Sequence, residues 1–210
     1  RVEVDVGHHQ SPAPALSRAA YRSVARRKAL AYMARMTIRD ILLHPDPRLK
    51  RACDPVARIT PDVETLAADM LATMYHAPGV GLAAPQLGVL QRMFVMDCSK
   101  DPDADAEPLV LVNPEIVSTS EALNTYDEGC LSFPDIYAEV TRPAEVRMRW
   151  TGLDGKTQER DFDGLWSTCA QHELDHLNGK LFIDHVGPMK RQMITRKMVK
   201  LKRELDRERA

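Results

Sequence analysis

The stretch Gln171-His172-Glu173-Leu174-Asp175-His176-Leu177-Asn178-Gly179 decides how the rest of the chain is read. On a helix, its H-E-x-x-H core sets two imidazoles one turn apart on one face, where both can bind a single metal ion. Glu173 lies about 100° round the helix from His172, near enough to reach a metal-bound water without being a ligand. The run thus offers two ligands and one acid/base group, and a third ligand decides which enzyme they form. The plain alternative is a pair of helix-face histidines balanced by Glu173 and Asp175.

Working outward, Gly179 fits the C′ position of a helix cap. Upstream, strand candidates lie at 92–97, 109–118, 145–150 and near 157–162, with Leu153-Asp154-Gly155-Lys156 as the turn between the last two. Thr60-Pro61 reads as an N-cap followed by proline at the first helical position. Val63, Leu66, Ala67, Met70, Leu71 and Met74 then recur at helical spacing, which predicts a helix over 61–76. Pro78 and Gly79 end it. Pro45 and Pro47 break His44 to Arg48 into an extended turn. Strands followed by a helix argue an α+β fold.

The chain has 210 residues, 44% of them hydrophobic, enough for one well-buried core. Its net charge of −1 argues against a whole-protein nucleic-acid footprint, and no apolar run reaches the length of a membrane span. Cys53, Cys98, Cys130 and Cys169 are far apart, so they read as reduced thiols rather than a disulfide framework.

Both termini are basic. From Val6 to Arg39 there is no acidic residue, whereas Arg18, Arg22, Arg26, Arg27, Lys28, Arg35 and Arg39 are cationic. Residues 1–35 read as an organellar transit peptide, as a region upstream of a start at Met36, or as a basic arm, and in each case as poorly packed. Residues 36–187 form the expected catalytic domain and 188–210 a basic helix. That helix is expected to seat Met189, Met193, Ile194, Met198, Leu201 and Leu205 on the domain. Its charged face is either merely solvated or a dock for an anionic partner such as RNA.

Proteases with H-E-x-x-H take their third ligand downstream. One class requires His-x-x-Gly-x-x-His, but this chain reads His176-Leu177-Asn178-Gly179-Lys180-Leu181-Phe182, and phenylalanine cannot coordinate. The other uses a later glutamate, and the first one here, Glu204, sits in the basic tail. The best remaining candidate is upstream, Cys130 in Glu128-Gly129-Cys130-Leu131-Ser132, where glycine allows close backbone approach.

Three segments in order, Gly79-Val80-Gly81-Leu82-Ala83-Ala84-Pro85-Gln86, Glu128-Gly129-Cys130-Leu131-Ser132 and Gln171-His172-Glu173-Leu174-Asp175-His176, resemble the signature motifs of peptide deformylases. Asp127 to Pro134 and Ile136-Tyr137-Ala138-Glu139-Val140 look like the type-1, bacterial and organellar branch. The resemblance runs from about Met36 to beyond Lys190. It implies small antiparallel or mixed β-sheets packed around a central helix carrying the H-E-x-x-H run, plus a C-terminal helix.

The resemblance also implies the chemistry. Cys130, His172 and His176 would hold one divalent metal. Glu173 would act as general base and then acid on a metal-bound water, releasing formate from N-formylmethionyl peptides. Gln86 and the Leu131 N–H would stabilise the oxyanion. Val80, Gly81, Tyr126, Gly129, Leu165, Thr168, Cys169 and the His172 ring would receive the substrate, with Gly81 lacking a Cβ so that the substrate backbone can approach. Glu128 and Arg142 would pair behind the cysteine segment. Tyr126 and Thr168 stand where aliphatic residues are common in the family.

A thiolate ligand suits Fe(II), Zn or Co. The resemblance implies Fe(II) as the native ion, with Zn, Ni or Co in samples. The expected partners are the formylated peptide and, through the basic helix, the ribosome, with no membrane and no sequence-specific nucleic acid. The expected location is the bacterial cytoplasm, or an organelle if residues 1–35 are a transit peptide. Two rivals are a zinc endopeptidase indifferent to Cys130 and a non-catalytic binder of nascent chains.

Overall fold

Thr60 starts the first helix by accepting a hydrogen bond from the Val63 N–H at 3.4 Å, with Pro61 at the first helical position. In the computed structural model of the protein, which describes residues 36–99 and 106–208, this helix (α1) spans Pro61–His76. It buries Val63, Leu66, Ala67, Met70 and Met74, the spacing the sequence predicts. The expectations for residues 1–35 lie outside the described residues.

Among the described residues, seven strands follow: β1 (Gly81–Ala83), β2 (Met93–Met96), β3 (Leu109–Thr119), β4 (Leu123–Cys130), β5 (Phe133–Pro143), β6 (Glu145–Thr151) and β7 (Thr157–Asp163). Five form a sheet in the order β1-β2-β3-β6-β7, and β4 pairs with β5 in a second sheet. Every strand pairing is antiparallel. The α+β expectation therefore holds, with antiparallel sheets rather than mixed ones.

Helix α2 (Gly164–Leu177) carries the H-E-x-x-H run and packs between the two sheets, touching β1, β2, β6 and β7 of one and β5 of the other. Period-two alternation in β2 explains how the larger sheet serves both helices. Phe94 and Met96 join Cys169, Ala170, Leu174 and Leu177 of α2, while Met93 and Val95 pack with Val63, Leu66 and Met70 of α1. The sheet is covered on both faces, so β2 is buried at every position. Gly179 follows the C-cap Asn178 with φ of +70°, a conformation that favours glycine.

Three details differ from the sequence reading. The pair β4 and β5 is not among the strand expectations. Five of the eight β4 residues are exposed, four of them polar or small, and pairing to β5 supplies what an apolar pattern would otherwise signal. Second, His44 to Arg48 is only partly extended, because a 3-10 turn begins at Pro47 and runs to Lys50, capped by Asp46. Third, the C-terminal helix α3 (Pro188–Glu208) seats Ile194 and Met198 in the core formed with β5, with Leu201 packed against it, whereas Met189 and Met193 stand exposed.

Candidate active site

The β4–β5 hairpin turns tightly, with Cys130 paired to Phe133 and a register shift between Gly129 and Cys130. This turn carries Cys130 to the helix α2. Among the described residues, Cys130, His172 and His176 bring one ligand atom each to within 4.8 Å of one another. The Cys130 Sγ lies 3.3 Å from His176 Nε2, and the imidazole rings of His172 and His176 meet edge to face with centroids 5.0 Å apart. Cys130 and the two histidines come from segments far apart in sequence, and only tertiary packing joins the thiol to the helix.

The pairing of His172 excludes the plain helix-face alternative. Its Nδ1 donates to Glu128 Oε2 at 2.8 Å, not to a carboxylate of its own helix. That commitment leaves Nε2 as the nitrogen for a metal, the arrangement by which a carboxylate fixes tautomer and ring direction. Glu128 in turn accepts from Arg142 Nε at 2.6 Å and from its second terminal nitrogen at 3.1 Å. One thiol and two imidazoles suit a borderline divalent ion such as Fe(II), Zn or Co. Among the described residues, the buried Nδ1 of His176 has no hydrogen-bond partner, and its ring is held by the Nε2 contact with Cys130 and the edge-to-face contact with His172.

Two buried carboxyl groups flank this cluster in opposite states. Burial pushes the Glu128 carboxyl up, but hydrogen bonds from His172 and Arg142 outweigh it and bring its pKa to about 2. Glu173 is pushed up to about 7, chiefly by burial, with the Glu128 charge adding to the effect. Its Oε2 has no hydrogen-bond partner. A fixed anion beside a carboxyl poised near neutrality is the division of labour expected of an orienting group and a proton carrier. For His176, burial and the neighbouring His172 hold the pKa well below its usual value, favouring the neutral ring that can act as a ligand.

Gln86 is buried in a 3-10 turn, Ala84–Leu87, directly after β1. Its Oε1 accepts from the Ala83 N–H at 2.8 Å, which fixes the amide and aims its NH2 toward Ser132 Oγ at 3.2 Å and Cys130 Sγ at 3.5 Å. A donor group therefore stands beside the metal-type cluster with its orientation set by the backbone. The Gln86 carbonyl is held by the Leu42 N–H at 2.8 Å.

A cleft of about 690 Å³ opens over these groups. Val80, Gly81, Tyr126, Gly129, Leu131, Leu165, Thr168, Cys169, His172 and Glu173 all line it, together with Gln86, Glu128 and Cys130. His176 and Arg142 lie behind it. The Thr168 hydroxyl is spent on the Gly164 carbonyl of its own helix, at 3.2 Å, so it adds little polarity to the wall.

Gly81 requires a different reason from the one its sequence suggests. A Cβ there would fall 2.5 Å from Glu173 Oε1 and 2.7 Å from Cys169 Sγ, so the missing side chain makes room for Glu173 itself. Gly81→Ala is expected to displace Glu173, lowering kcat roughly 10-fold or more while the fold survives, as far-UV circular dichroism would report.

The sequence reading missed four contributors. Ser132 steadies the Gln86 amide. Asp175 accepts from Arg142 at 2.8 Å and from His185 at 2.7 Å. Phe182, the residue that rules out one protease class, stacks against His172 with centroids 6.1 Å apart. A charged residue inside an otherwise buried helical motif was the available signal for Asp175; for the others there was none.

With this geometry in place, comparison with known proteins is informative. The sequence profile described as polypeptide deformylase matches residues 38–192. A peptide deformylase of Mesorhizobium japonicum is 52% identical over 166 residues, covering 79% of this chain and 94% of that one. Among solved structures, a peptide deformylase of Legionella pneumophila matches with a TM-score of 0.75 at 46% identity, over 81% of this chain and 99% of its own. One from Ehrlichia chaffeensis, in complex with actinonin, matches with a TM-score of 0.77 at 32% identity, over 80% and 99% respectively.

Proposed function

The chain belongs to the polypeptide deformylase family, enzymes that remove the formyl group from nascent peptides, and we propose the residue roles by which it does so. The reading rests above all on the convergence of Cys130, His172 and His176 within 4.8 Å, beside Glu173 in a cleft. Cys130, His172 and His176 hold one divalent ion, Fe(II) in the native enzyme, with Zn, Ni or Co in purified samples. Such an ion supplies Lewis-acid chemistry, making water a nucleophile near neutral pH and polarising the formyl carbonyl.

The chain's own residues do the rest. Glu173 takes the proton of the attacking water and returns it to the amine nitrogen as the formamide C–N bond breaks, giving formate and a free amino terminus. The Gln86 NH2 and the Leu131 N–H donate to the formyl oxygen as it gains negative charge. Val80, Tyr126, Leu165, Thr168, Cys169 and the His172 ring receive the methionine side chain, while Gly81 leaves room for Glu173, and Gly81 and Gly129 lend their backbone to the cleft wall. Glu128 and Arg142 keep His172 in the productive orientation.

N-formyl-Met-Ala, assayed anaerobically with Fe(II), is expected to yield formate and Met-Ala, while N-acetyl-Met-Ala stays almost untouched. Cleavage of internal peptide bonds without formate release would instead place the chain among zinc endopeptidases. The chemistry is that of protein biosynthesis in a bacterial-type cytoplasm or an organelle; no described helix is long and apolar enough to cross a membrane.

Helix α3 turns Lys190, Arg196, Lys197, Lys200 and Arg203 outward, and we assign this face to the ribosome. Deleting the helix would also remove Ile194 and Met198 from the core, so neutralisation is the cleaner test. Changing Lys190, Arg196, Lys200 and Arg203 to glutamine is expected to weaken ribosome cosedimentation at low salt, and unchanged cosedimentation would reject the assignment.

A further inference from the structure

We propose that His185 is a positioning residue for His172, acting through a chain of ionic hydrogen bonds that runs from the metal-type cluster to the protein surface. The proposal rests on the reading that Cys130, His172 and His176 hold an ion. His172 Nδ1 donates to Glu128, Arg142 bridges Glu128 and Asp175, and His185 Nε2 lies 2.7 Å from Asp175 Oδ2. A carboxylate only accepts, so that Nε2 carries the hydrogen. Side-chain exposure rises along the chain from 4% at Glu128 and 6% at Arg142 to 15% at Asp175 and 34% at His185.

Donor counting gives His185 its purpose. Two carboxylates, Glu128 and Asp175, share a single guanidinium in a largely buried setting. Among the described residues, His185 and Arg142 are the side chains that donate to the Asp175 carboxylate. If His185 is removed, Asp175 has Arg142 alone and draws the guanidinium away from Glu128. Glu128 then holds His172 less firmly, although neither of them has been altered.

The segment carrying His185 is built to hold still. Asp184 accepts from the Leu181 N–H at 2.9 Å and is ion-paired with Lys50, and the Asp184 carbonyl accepts from Arg191 at 3.3 Å. Phe182 of the same 3-10 turn stacks on His172. Residues 182–185 thus steady the ligand twice, by a ring against its imidazole and by the ionic chain behind its Nδ1.

The test uses the full chain loaded with Co(II), whose thiolate charge-transfer band reports the Cys130 contact. Release of Co(II) to excess chelator is followed in wild type, His185→Leu and His185→Gln. His185→Leu is expected to release the ion roughly 10-fold faster, while His185→Gln, whose amide can donate to Asp175, stays within about twofold of wild type. Equal release by wild type and His185→Leu would overturn the positioning role, as would a His185→Gln as fast as His185→Leu, which would mean packing alone. A wild type that shows no thiolate band, or a Cys130→Ser variant that keeps it, would overturn the metal site itself and the positioning role with it.

Discussion

Replacing Glu173 by alanine is expected to lower kcat for formate release roughly 10³-fold while leaving the bound ion in place. The carboxyl is buried, one of its oxygens has no partner, and its pKa of about 7 lets it both accept and return a proton near neutral pH. The adjacent Glu128 cannot substitute, because its pKa is about 2 and both its oxygens are committed to His172 and Arg142. The ion should stay because Glu173 contributes no atom to the Cys130, His172 and His176 cluster. Anaerobic formate release, measured with metal content on the same sample, separates the two effects. Turnover retained within tenfold would refute the proton transfer.

Arg142→Met should produce the largest loss of stability. The guanidinium is buried between Glu128 and Asp175, and removing it leaves a buried and a half-buried carboxylate facing each other's field. Breaking a buried ion pair from one side costs about 3–5 kcal/mol. For a domain of this size that lowers Tm by on the order of 10 °C. The double variant Arg142→Met with Glu128→Gln should recover part of the stability, since one uncompensated charge is gone. It should not recover the ion affinity, because a neutral amide orients His172 less firmly than a carboxylate. Thermal unfolding of the three proteins decides this, and an Arg142→Met Tm within 2–3 °C of wild type would show that the network contributes little.

How much of this was legible in the sequence depends on the range of the interaction. Helix α1 was readable because its signals are local: the Thr60 cap, Pro61, and apolar residues a turn apart. Strand β6 was readable because Val146, Met148 and Trp150 alternate with charged residues, and all three are buried. Strand β4 was not, since Tyr126, Glu128 and Cys130 are conformed by the partner strand rather than by an apolar pattern. His172 and His176 were legible as candidate ligands from their spacing, and Cys130 only by elimination and motif resemblance, since alone it would pass for an ordinary core cysteine. Distances supplied what spacing could not. Gly81 clears space for Glu173, and Asp175 turns away from the histidines toward Arg142 and His185. Both facts are created by contacts between segments remote in sequence.

A single ion held by Cys130, His172 and His176 would make formate release by this chain strictly dependent on that ion. The most direct test of that dependence is anaerobic formate release from N-formyl-Met-Ala as Fe(II) is titrated into chelator-stripped protein, for wild type and His176→Ala. The wild-type rate should rise linearly and break at about one ion per chain, with no rise in His176→Ala. A wild-type rate independent of added ion, or a His176→Ala titration that matches wild type, would contradict it.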